Sequence, residues 1–134
     1  MDIKAVISHK GKSIQKEIKE ADAKRFIGKK IGESVKGELL DLTGYEFTIT
    51  GGSDYAGFPM RQDLPGVGRK RILAVGGIGI HNNEKGVKRR KAVAGNQIYA
   101  QTAQINLKVT KEGKDSIFPV TEAKEEPKKE EAKE

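Results

Sequence analysis

The sequence predicts a mainly β protein: a small antiparallel barrel of five or six short strands, with one short helix. Three observations carry this reading. Apolar residues alternate with polar ones at period two, glycine-rich turns separate the alternating runs, and a single run has helical spacing. The run DIKAVIS sets Ile3, Ala5 and Ile7 on one side. YEFTIT sets Tyr45, Phe47 and Ile49 on one face and Glu46, Thr48 and Thr50 on the other, and QINLKVT repeats the pattern with Ile105, Leu107 and Val109. RILAVGGIGI reads as a strand over 72–75 that bends sharply at Gly76, Gly77 and Gly79. KAVAG is a weaker strand signal. The turns HKGKS and NEKG predict hairpins from 3–8 into 13–19 and from 72–80 into 88–94. The helix is ADAKRFIGKK, where Ala23, Phe26, Ile27 and Ile31 share a face and Glu20 and Asp22 suit the N-terminus, although Gly28 weakens it.

The chain has 134 residues, room for one domain, expected over 1–120. Residues 121–134, TEAKEEPKKEEAKE, hold no large apolar side chain and are expected to form a disordered charged tail. Aromatics make up only 5% of the chain, so the core is expected to be aliphatic. The absence of cysteine excludes disulfide frameworks, zinc ribbons and thiol catalysis. No apolar run reaches transmembrane length and the start lacks a secretory core, so a cytoplasmic protein without a membrane partner is expected.

Charge is the strongest compositional signal. The chain is +7 overall, but the tail holds six Glu against four Lys, which leaves 22 basic and 13 acidic residues in 1–120, a net +9. The excess gathers between Arg61 and Lys91, where nine cations (Arg61, Arg69, Lys70, Arg71, Lys85, Lys88, Arg89, Arg90 and Lys91) meet only Asp63 and Glu84. Such an imbalance calls for a polyanion, an acidic protein or a membrane surface. If the strands pair around NEKG, the triplet 69–71 and the run 88–91 are expected at or near one end of a hairpin, within roughly 20 Å. Arginine's planar fork suits phosphate, and binding would be salt-sensitive. KRRK alone is equally compatible with a solvated basic face. Few aromatics accompany the cations, which favours recognition of folded, duplex-rich RNA by backbone and shape. No recognition helix is evident, which lowers the DNA option.

The stretch GGSDYAGFPM has the GxxxxG spacing of a phosphate loop at Gly52 and Gly57. Phe58 and Pro59 stand where Lys and a hydroxyl would be needed, and proline removes a donor, so a nucleotide site is not expected. The stretch reads instead as a turn. Gly51 and Gly52 are expected to end the preceding strand, Asp54 to accept local backbone N–H bonds, and Gly57 and Pro59 to complete the frame. His9 and His81 both read as exposed turn histidines, and no catalytic pair or cofactor site is apparent.

Residues 49–60, Ile-Thr-Gly-Gly-Ser-Asp-Tyr-Ala-Gly-Phe-Pro-Met, closely resemble the signature of small-subunit ribosomal protein six of the archaeal and eukaryotic type. The resemblance continues through GRKRIL, KRRKAVAGN and QINLKV and covers about 1–120. It implies a closed antiparallel β-barrel of about six strands. It also implies a structural constituent of the small ribosomal subunit that binds ribosomal RNA and neighbouring ribosomal proteins, without enzymatic activity, cofactor or small-molecule substrate. The isolated protein is expected to be a monomer. Arg69, Lys70, Arg71, Lys88, Arg89, Arg90 and Lys91 match family positions that would face RNA. Ala92 and Ala94 stand where the family usually has Ser and Arg, which puts one backbone contact near 94 in question. The short Glu/Lys tail without serine resembles the archaeal form, and kinase regulation is not carried over. The alternatives from the residues alone are an RNA-binding barrel acting off the ribosome and a small nucleotide-directed enzyme.

Overall fold

The computed structural model describes residues 2–81, 84–114 and 117; the expected tail over 121–134 lies outside them. The chain runs β1 (Ile3–His9), β2 (Lys12–Ile18), α1 (Glu20–Phe26), β3 (Ser34–Lys36), a 3-10 turn (Gly37–Leu40), β4 (Glu46–Asp54), β5 (Arg69–Ala74), β6 (Arg89–Ala94) and β7 (Thr102–Lys111). It is mainly β with one α-helix, as expected. The helix is shorter than its apolar spacing suggested. It stops at Phe26 because Ile27 is already extended and Gly28 takes φ +92°, a left-handed value that favours glycine.

The expected closed barrel is not what forms. The strands make two open sheets, one of five strands in the order β2-β1-β7-β4-β3 and one of two, β5-β6. Nor is the larger sheet wholly antiparallel, since β1 and β7 run parallel, with Ala5 opposite Ile105 and Ile7 opposite Leu107. Closure would require β2 to pair with β3, but these stand as the two free edges, and the three-residue β3 pairs only with β4. The two edges are linked instead by a side chain. Lys16 of β2 donates to the Leu40 carbonyl just beyond β3 and lies 3.8 Å from Asp41. The sheet therefore curls without joining.

Alternation places the core as expected on one face of the larger sheet. Ile3, Ala5, Ile7, Phe47, Ile49, Ile105 and Leu107 are all at most 2% exposed, and Phe26 of α1 packs into the same cluster. Tyr45 stacks on Phe47 at 6.0 Å, so the core is less purely aliphatic than composition implied.

Gly51 and Gly52 do not end their strand. β4 continues through them to Asp54 and absorbs an irregularity between Ile49 and Gly51, so the glycines serve a bulged strand rather than a turn. Gly52 allows a close approach: a Cβ there would stand 2.4 Å from the Gln104 carbonyl oxygen of β7 and 3.1 Å from Met60 Sδ. That approach lets Met60 N–H donate to Gly52 O at 2.9 Å. Gly52→Ala should therefore cost about 1–3 kcal/mol through overpacking against backbone. Urea unfolding would measure it, and an unchanged midpoint would show that β4 and β7 can part freely.

Candidate nucleic-acid interface

The basic segment folds as the β5–β6 ribbon, and its register decides where the charges lie. The pairs are Arg69–Ala94, Lys70–Val93, Arg71–Ala92, Ile72–Lys91, Leu73–Arg90 and Ala74–Arg89. The triplet 69–71 thus sits at the end of the ribbon away from its turn, and 89–91 at the end next to it. This corrects the expectation that both clusters share one end: in an antiparallel hairpin the starts of the two strands are necessarily opposite. Every pair matches one cation with one apolar residue. Like charges directly across a ladder destabilise it, and this register has none.

The two faces differ in what covers them. Ile72, Ala74 and Val93 lie on one face, where Val93 is fully buried and Gly79 packs so closely that a Cβ would meet Val93 Cγ1 at 2.9 Å. Lys70, Arg89 and Lys91 flank that apolar centre. The other face carries Arg69, Arg71, Leu73 and Arg90 over Ala92 and Ala94. Ala94 is fully buried against Met60, so it carries no contact surface of its own.

Not all nine cations are free. Arg61 is buried and donates from Nε and Nη2 to the two Asp63 carboxylate oxygens at 2.8 and 2.7 Å. Its Nη1 donates to the Ile78 carbonyl at 3.1 Å and the Gly76 carbonyl at 3.4 Å, clamping the chain beyond β5. The Arg61 hydrogen bonds hold the Asp63 carboxyl below its ordinary range, and the same bonds push Arg61 higher still. Arg69 is likewise committed. Its Nε lies 3.0 Å from Oδ2 of Asp54, whose side chain is wholly buried; this is a charge contact without hydrogen-bond alignment. Its Nη2 donates to the Tyr55 hydroxyl, and Cζ stands 4.9 Å from the Tyr55 ring and 5.0 Å from the Phe58 ring. Lys70 donates to the Pro65 carbonyl at 3.3 Å. Arg71, Lys85, Lys88, Arg89, Arg90 and Lys91 are exposed, and no acid pairs with them among the described residues.

Sequence spacing could have pointed to Arg61–Asp63, two positions apart on one side of an extended segment. Nothing local pointed to Asp54–Arg69, separated by fifteen positions. The frame of that contact is the turn after β4. Oδ1 of Asp54 accepts the N–H groups of Ala56 and Phe58, both at 3.0 Å, and Gly57 takes φ +86° between them. Pro59 bridges back to Ser53, and its carbonyl accepts the Ala94 N–H at 2.8 Å. The segment 59–61 is thereby held between β4 and β6 and joins the two sheets.

The other chemistries find no constellation. Among the described residues no group of three His, Asp or Glu stands together to hold a metal. His9 contacts Glu112 at 2.8 Å, where Lys10 also lies 3.0 Å away, and His81 is exposed. No helix is long and apolar enough to cross a membrane among the described residues.

The family model described as ribosomal protein S6e matches residues 3–122. A small ribosomal subunit protein eS6 of Archaeoglobus fulgidus is 45% identical over 94% of this chain and 100% of its own length. Those of Methanocella arvoryzae and Methanosphaera stadtmanae are 43% and 42% identical, over 92% and 97% of this chain and 91% and 100% of their own lengths.

The division between committed and free cations is measurable. Arg69→Ala should destabilise by about 2–4 kcal/mol, since it strands a buried carboxylate, with the lower part of the range reflecting a side chain that is one-third exposed. Arg71→Ala should stay within about 0.5 kcal/mol in denaturant unfolding yet flatten the salt dependence of RNA binding by about 0.7–0.9 in log–log slope. Matching behaviour of the two variants would contradict the assignment.

The Arg61–Asp63 clamp has a pH signature. The folded carboxyl titrates below its unfolded value of about 3.9, so the clamp's contribution is fully present above that pH and is lost as pH falls through the depressed value. The protection of the Ile80 amide, which donates to Gly77 O, taken relative to its intrinsic exchange at each pH, should hold down to about pH 4 and fall below it. Asp63→Asn should be less protected than wild type above about pH 4 and converge with it below the depressed value, and equal protection of the two proteins at neutral pH would remove the clamp from the loop's stability.

Proposed function

The chain belongs to the ribosomal protein S6e family, and from that membership we propose that it is a structural constituent of the small ribosomal subunit in the cytoplasm. It binds ribosomal RNA and sits among other ribosomal proteins without catalysing a reaction. The observation that carries the RNA contact is the set of unpaired cations on the β5–β6 ribbon: Arg71, Arg89, Arg90 and Lys91, with Lys88 and Lys85 beside its turn. A two-stranded ribbon of six residues spans roughly 20 Å, so these charges can reach several successive phosphates. Each neutralised phosphate releases counterions, and the apolar cross-strand partners hold the spacing while contributing no charge of their own. Arg61 and Arg69 act at one remove, Arg61 by fixing the chain after β5 and Arg69 by fixing the start of β5 against the larger sheet. The protein is read as a monomer outside the particle, with no small-molecule substrate.

In low-salt sucrose gradients the protein should travel with the small subunit. A position at the top of the gradient would overturn the ribosomal reading in favour of an RNA-binding protein acting elsewhere. Changing Lys88, Arg89, Arg90 and Lys91 together to Ala should lower the log–log salt slope of rRNA binding by about 3. An unchanged slope would show that these side chains are merely solvated.

A further inference from the structure

Among the described residues, Tyr55 is the one large aromatic left well exposed, at 55%. Exposure of this kind usually goes with a mobile side chain, but here the ring is held at several points. Its backbone N–H donates to the Gln101 carbonyl at 3.0 Å, and the preceding Asp54 closes the turn that follows. Its hydroxyl accepts a hydrogen bond from Arg69, whose guanidinium stands over the ring and is itself held by Asp54. Arg69 stands over the ring at 4.9 Å, and the residue still keeps 55% of its surface open. A rigid, open aromatic face loses little conformational freedom when a flat partner settles on it.

The neighbouring charges identify the partner. Arg69, Arg71 and Leu73 share one face of β5, and Arg90 lies on that same face opposite Leu73. Arg71 and Arg90 are exposed, and no acid pairs with them among the described residues. The ring thus stands beside the committed Arg69, with the unpaired Arg71 and Arg90 farther along the same face, the combination that binds a base by stacking and its neighbouring phosphates by charge. Paired bases in a helix keep their faces covered, so a duplex cannot use this ring, whereas a bulged or looped nucleotide can. We propose that Tyr55 is the stacking platform for one unpaired nucleobase of the bound RNA, with Arg71 and Arg90 taking phosphates beside it. This rests on the RNA-binding reading above and adds a contact that backbone recognition does not supply.

The test uses the full chain and two RNA hairpins, one carrying a single bulged 2-aminopurine and one fully paired. Wild type should prefer the bulged hairpin about tenfold, a modest share of the usual range for base–aromatic stacking, and should quench the 2-aminopurine fluorescence. Tyr55→Leu should lose the preference and the quenching while keeping its affinity and salt slope for the paired hairpin. Tyr55→Phe, which retains the ring, should keep most of both, and it remains informative if the leucine variant does not fold. Equal binding of the two hairpins by wild type, with steep salt dependence intact, would overturn the stacking site and leave the RNA reading standing. A preference that survives in Tyr55→Leu would overturn it as well. Failure to bind either hairpin would sink both readings together.

Discussion

The Asp54 carboxylate is the point on which the two sheets depend. It is 2% exposed at the end of β4, and each of its oxygens does a different job. One oxygen gathers the N–H groups of Ala56 and Phe58 and so reverses the chain, which sends Pro59, Met60 and Arg61 between β4 and β6. The other meets Arg69, the first residue of β5. A neutral side chain of similar size could close the turn, but it would leave Arg69 without its counter-charge. A buried carboxylate without Arg69 would be strongly unfavourable. The pair therefore sets the start of the ribbon relative to the larger sheet, and through Arg69 it also orients Tyr55 and Phe58.

The ribbon shows how a strongly basic segment can form a stable sheet with little neutralisation of its own. Two strands that each carry three consecutive cations would repel if the runs faced each other. The antiparallel register instead slides each run against Ile72, Leu73 and Ala74 or against Ala92, Val93 and Ala94. Cross-strand contacts are then apolar–aliphatic, with lysine and arginine stems lying along small or branched neighbours. The charge stays available because the ladder does not consume it.

Much of this was legible in the residues, and the gaps have physical causes. Strands with one buried face announced themselves by alternation: Ile3, Ala5 and Ile7, or Ile105, Leu107 and Val109, stand inside as their spacing implied. The helix ended early because Gly28 needs a left-handed conformation that apolar spacing does not register. Closure was not legible, because it turns on whether a three-residue strand can pair at a distant edge. Gly51 and Gly52 lie within β4 and not at its end, a difference not legible in the residues, since glycine signals a turn and a bulged close approach in the same way. The basic segment was visible as a candidate site at once. Which of its members were spoken for depended on Asp54, remote in sequence, and on carbonyl groups of residues 76 and 78 that carry no sequence signal.

The position of β7 bears on how the chain is made. It lies in the interior of the five-stranded sheet, between β1 and β4, although it is the last strand of the described chain. During synthesis the β1–β2 and β3–β4 hairpins emerge first, each with an unpaired edge where β7 will lie. Neither can join the other until residues 102–111 have been delivered, so the sheet is completed from its centre at a late stage. Loop closure between β1 and β7 spans about a hundred residues, which slows that step relative to forming the hairpins. Throughout that interval the nascent chain displays aliphatic strand edges together with a fully charged basic segment. An RNA already in contact with the cations would keep such chains apart by charge and would shield the segment from adventitious acidic partners while the central strand arrives.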